Sequence, residues 1–174
     1  YHADAAIILE PTSLKLSPIQ SGALTFRLTV HGRATHASMR WDGVSAIEKY
    51  TGLHNAIIKL EELRHHSFET KHYKSKERVA PINIGTIKAG QWHSTVPESI
   101  IAEGRLGVFP NESNEEARKN FEDHVFEFSK SDSWLTENPP EIEWFEGQFE
   151  SGQTPIDDPL IKELSTVYKN VLNR

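Results

Sequence analysis

Three residues of this 174-residue chain pair a reactive side chain with a position where packing does not explain it. His36 stands in HGRATHAS, residues 31 to 38, just past a run that alternates apolar and polar residues. A histidine in such a strand-to-helix connection has no core to fill. It is either an incidental loop residue or a group that something is meant to reach, and its small neighbours would let the ring N–H be presented without obstruction. Glu10 ends the run Ala5-Ala6-Ile7-Ile8-Leu9 and is followed by Pro11. In open α/β sheets the carboxyl ends of strands are where ligands and metals gather, although a lone glutamate there also reads as a solvated surface residue. Arg105 falls on the polar side of an alternating segment. Its planar guanidinium could pair bidentately with a substrate carboxylate, or with a cross-strand glutamate, which would make it structural.

The elements that must position these residues follow from periodicity. Ala5 to Leu9 is a continuous apolar run, the pattern of a strand buried on both faces. Ala23 to His31 alternates, with Leu24, Phe26, Leu28 and Val30 on one side, and reads as a strand with one wet face. Ala46, Tyr50, Leu53, Ile57 and Leu60 follow at steps of four and three, which predicts an amphipathic helix over residues 44 to 64. A polar loop over 65 to 78 precedes a second alternating strand, 79 to 88, where Pro81 is best tolerated at a sheet edge. After the loop AGQWHSTVP, residues 89 to 97, a third strand spans 99 to 109. Ser113 with Glu116 is a capping box, opening a helix whose stripe is Ala117, Phe121, Val125 and Phe128. Glu141 to Phe149 is the fourth strand, and Asp158-Pro159 opens a last helix with Leu164, Val167 or Tyr168, and Val171 inward.

Strand, helix, strand, strand, helix, strand is the split βαβ order of a ferredoxin-like α+β domain: a four-stranded antiparallel sheet with two helices on one face. The strand before Glu10 and the helix after Asp158 have no place in that unit. Residues 21–150 are therefore read as a domain inserted into a truncated α/β domain, which supplies residues 1–20 and 151–174. The chain starts without methionine and ends inside a helical pattern, as expected of a piece of a longer protein. Its 19 Lys and Arg are scattered among 25 Asp and Glu, so no basic stripe points to nucleic acid. Cysteine is absent, which removes disulfides and thiolate chemistry and makes the cytoplasm the default compartment. No apolar run reaches the roughly 20 residues that cross a bilayer, so a membrane partner is not expected.

The stretch ADAAIILEPT, then GALTFRLTVHGRATHAS with DGVSAIEKY, then INIGTIKAGQWHSTVPESIIAEGRLGVFP, resembles in order and spacing the zinc-dependent amidohydrolases and peptidases that include acetylornithine deacetylase, succinyl-diaminopimelate desuccinylase and carboxypeptidase G2. Ala89-Gly90 stands where that family has paired glycines, and Ser94 where it commonly has asparagine.

The resemblance implies that residues 21–150 are a lid and dimerisation domain, and that the flanking segments belong to a catalytic domain. It implies a metal-dependent deacylase or peptidase that hydrolyses an amide of an N-acyl amino acid or a peptide-like substrate, with two zinc ions, cobalt or manganese being possible substitutes. Glu10 would be a metal ligand, His36 would steady the oxyanion in the partner subunit of a homodimer, and Ser94 and Arg105 would contact substrate. The other metal ligands and the general base would lie outside residues 1–174, so the piece alone is expected to bind no metal and to be inactive. The alternative is a non-catalytic ferredoxin-like module that binds a small molecule for regulation or assembly. His31, His54, His65, His66, His72, His93 and His124 are assigned to surface or helix faces, with His93 alone in a loop able to approach substrate. Trp41 and Trp92 are assigned to packing or an interface.

Overall fold

The alternation in Leu24, Phe26, Leu28 and Val30 does what it predicts: all four are fully buried, on one face of the central strand. The structure, a computed structural model, describes residues 3–70, 72, 73, 75 and 78–172. Its strands are β1 (Ile19–Gln20), β2 (Gly22–His31), β3 (Thr35–His36), β4 (Ile82–Ala89), β5 (Thr95–Val96), β6 (Ser99–Val108), β7 (Glu141–Phe149) and β8 (Gly152–Gln153). Its helices are α1 (Ala46–Ser67), α2 (Asn114–Ser129), α3 (Ser133–Glu137) and α4 (Pro159–Leu172). The main sheet has the order β4-β6-β2-β7 and is antiparallel throughout. That is the order of a split βαβ unit, and it leaves β4 and β7 at the two edges.

The core forms between this sheet and two helices. Tyr50, Leu53, Ile57 and Leu60 of α1, and Ala117, Phe121 and Val125 of α2, pack on Phe26, Leu28, Ala102 and Leu106. Phe26 centres it, with ring centroids 4.6 Å from Phe121 and 5.9 Å from Trp144. Ser113 and Glu116 complete the predicted capping box of α2. Ser45 caps α1, accepting from the Glu48 N–H.

Several expectations are corrected. Ala5 to Leu9 forms no strand. Ile7, Ile8 and Leu9 are 58%, 73% and 95% exposed, because nothing in the described chain pairs with or covers them. The apolar stripe of α4 is likewise uncovered, Ile161 being buried but Val167 and Val171 exposed. His65 is not a surface residue. It is buried, its Nδ1 donating to the Glu61 carbonyl at 2.8 Å and its Nε2 accepting from the Ala80 N–H at 3.3 Å. Part of the 65–78 loop lies outside the described residues. Trp41 and Trp92 pack in no core cluster and stand 85% and 55% exposed.

Candidate functional site

His36 is held more firmly than a loop histidine. It pairs with Thr95 in the short β3–β5 ladder, and the next N–H, of Ala37, donates to the Ser94 carbonyl at 2.9 Å. The approach to it is pinned as well: the Gly32 N–H donates to Glu98, Arg33 and Val44 exchange backbone bonds, and the Ala46 N–H donates to Pro97. A Cβ at Gly32 would lie 2.2 Å from the Val44 carbonyl oxygen, so only glycine lets the end of β2 pass this close to the start of α1.

His36 Nδ1 accepts from the backbone N–H of Ser38 at 3.2 Å and lies 2.8 Å from the Ser38 hydroxyl. A backbone N–H can only donate, so Nδ1 must keep its lone pair. In the neutral ring the proton is then on Nε2 of this exposed side chain, and Nε2 has no partner among the described residues. The His36 turn thus presents a preset N–H donor. Around it lies a run of rings: Trp92 is 6.1 Å from His36, and His93 is 5.5 Å from Trp92. Ser94, half-buried, bonds through its hydroxyl to His93 Nδ1 at 2.9 Å.

Ser94 is therefore brought to His36, but Arg105 and Glu10 are not. In the β2–β6 register His31 faces Ser99 while Arg105 faces Thr25, six residues or roughly 20 Å along the strand. Arg105 is exposed on the open face of the sheet, away from the helices. The cross-strand glutamates of that face go to Arg27 instead, which binds Glu103 and Glu143 at 2.8 and 2.6 Å and lies over Phe145. These hydrogen bonds hold the Glu103 carboxyl below its usual range and raise the Arg27 guanidinium. Glu10 is exposed in a turn, its carbonyl accepting from Thr12. Among the described residues no three of His, Cys, Asp and Glu cluster as a metal would need.

Trp92 is assigned from sequence to packing or an interface, and its place beside His36 is not legible there. Two-residue strands carry no readable alternation, and the ladder that brings Trp92 to His36 is only that long.

A family model for the peptidase dimerisation domain matches residues 19–132. The chain belongs to the M20 peptidase dimerisation-domain family. The match covers β2, the His36 turn, α1, β4, β6 and α2, so the elements around His36 are those of a dimerisation domain. Over 168 residues the chain is 28% identical to the N-formyl-4-amino-5-aminomethyl-2-methylpyrimidine deformylase of Bacillus subtilis, covering 91% of the chain and 37% of that enzyme. It is 31% identical over 150 residues to a probable carboxypeptidase of Talaromyces marneffei, covering 85% and 31%. Among solved structures, the M20 family metallo-carboxypeptidase Sso-CP2 of Sulfolobus solfataricus superposes with a TM-score of 0.62 at 14% identity, over 90% of this chain and 44% of that one. The chain thus spans about a third of the length of these curated relatives.

Proposed function

We propose that this domain is the lid of a metal-dependent amidohydrolase or peptidase acting on an N-acyl amino acid or a related amide, and that His36 donates a hydrogen bond to the oxyanion formed at the scissile carbonyl. The observation that carries the reading is the bond from the Ser38 backbone N–H to His36 Nδ1, which assigns the proton of the neutral ring to Nε2. A donor fixed before the reaction stabilises developing negative charge without reorganising. Family membership, and relatives named as a deformylase and a carboxypeptidase, support amide hydrolysis. Glu10 is proposed to add one carboxylate to the metal site of the whole enzyme. Ser94 is proposed to border the substrate beside His36, whereas a substrate role for Arg105 requires a group reaching the open sheet face. Among the described residues no helix is long and apolar enough to cross a membrane, and a cytoplasmic location is proposed.

The domain is proposed to act as a homodimer through the β4 edge and the adjoining flank of α1. Pro81 accepts from the Gly107 N–H, so alternation in an antiparallel ladder turns the N–H groups of Ile82 and Ile84 away from β6. That of Ile82 is taken by the Glu61 carboxylate, so the open edge begins at Ile84. By helical phase the flank of α1 that carries Glu61 also carries Ile47 and Ile58. These two and Ile87 of β4 are 45%, 48% and 52% exposed, an apolar strip beside the edge that a second copy would cover.

The test is His36→Ala in the whole enzyme. kcat should fall by about 10² to 10³ with metal content and KM little changed. A kcat within threefold of wild type would remove His36 from the reaction.

A further inference from the structure

Trp92 is a large apolar side chain left half in water although it sits on a braced loop. It joins neither core cluster. Its carbonyl accepts from the Thr95 N–H at 3.1 Å, and Ser94 is tied to Ala37, so the loop that carries it is registered against the His36 turn. Its ring lies 6.1 Å from that of His36 at 60°, and 5.5 Å from that of His93 at 50°. Three rings therefore stand in a row, with His36 at one end. The indole is thus the large apolar surface next to the His36 ring.

Resting on the lid reading above, we infer that Trp92 is a specificity residue whose indole stacks on a planar aromatic or heteroaromatic ring of the substrate, next to the scissile amide. The choice of a flat ring follows from the surface offered. An exposed indole presents a π face, and offset or edge contacts between aromatic rings favour them over saturated rings of equal size by roughly 2- to 10-fold in affinity. The 6.1 Å between the His36 and Trp92 rings calls for a ring carried close to the amide, as in an N-acyl arylmethylamine or the amide of an aromatic amino acid. Trp41 serves as an internal control. It is more exposed, at 85%, but belongs to the 3-10 turn of Ala37–Asp42 and makes no ring contact among the described residues.

The experiment compares kcat/KM of the whole, metal-loaded enzyme on matched pairs: N-formyl and N-acetyl benzylamine against the corresponding cyclohexylmethylamines. Wild type should favour the benzyl member by about 5-fold or more. Trp92→Ala should bring the ratio to within twofold of one, chiefly through KM, while Trp92→Phe and Trp41→Ala keep it. Circular dichroism checks that each variant folds. A wild-type enzyme without preference for the benzyl members overturns the inference, as does a preference that survives Trp92→Ala. Equal loss on both members of each pair, as expected if Trp92 seats against protein of the partner subunit, overturns it too. His36→Ala separates the two layers: it should slow both members of each pair alike, and an unaffected kcat would sink the lid reading itself, whatever Trp92 does.

Discussion

Tyr50 places its hydroxyl in the core, 4% exposed and without a hydrogen-bond partner among the described residues. Burial pushes its phenol up from 10.0 to about 12. A buried hydroxyl left unpaired costs roughly 1–3 kcal/mol, so Tyr50→Phe, which keeps the ring and its packing, should raise stability by about 1 kcal/mol in urea unfolding at pH 7. The pH dependence has a definite sign. With the folded value above the unfolded one, the neutral phenol contributes stability that is whole below pH 10 and is lost as pH rises through 12. The phenylalanine variant should therefore gain on wild type by a further 2–3 kcal/mol, at order of magnitude, between pH 9 and 12. A variant less stable than wild type at both pH values would mean that the hydroxyl has a partner. His65 is the contrasting buried polar residue, with both ring nitrogens satisfied by backbone. Its bond to Ala80 anchors the approach to β4.

At the scale of elements, β4 decides the proposed assembly. Ile84→Pro removes an N–H that points away from β6, so the β4–β6 ladder keeps its bonds while the open edge loses its first free donor. Sedimentation of the purified chain should show monomer for the variant where wild type dimerises, with unchanged circular dichroism. A folded variant that still dimerises through this surface would refute edge pairing.

The main elements were legible in the sequence because each buries one face of regular period. Leu24 to Val30 and Ala46 to Leu60 announce their strand and helix through alternate and three-four spacing, and the order of elements then leaves few topologies. What was not legible has physical reasons. Ala5 to Leu9 has strand composition, but a strand needs a neighbour to take its backbone bonds, and composition cannot supply one. The two-residue pairings β1–β8 and β3–β5 are set by tertiary contacts alone. Arg105 was correctly placed on the polar face, but its distance from His36 depends on register, and Arg27 rather than Arg105 captures the cross-strand glutamates.

At the scale of the whole molecule, a dimerisation domain carries a donor that is proposed to serve a site supplied from elsewhere. His36 sits at the end of the sheet where β2 gives out, while Glu10, proposed to serve the metal, lies on the segment leading into β1. The central claim is that the donor of one subunit completes the site of the other. Mixed dimers of the whole enzyme test it. His36→Ala and Glu10→Ala homodimers should each be nearly inactive, since every site lacks either donor or metal ligand. If His36 acts across the dimer, a heterodimer has one site built from the intact Glu10 of one subunit and the intact His36 of the other. Random exchange of the two variants should then restore about a quarter of wild-type activity, because half the dimers are mixed and each has one working site of two. Recovery near that level on mixing and subunit exchange is the predicted result. No recovery, with exchange verified by a tag on one variant, would contradict the account.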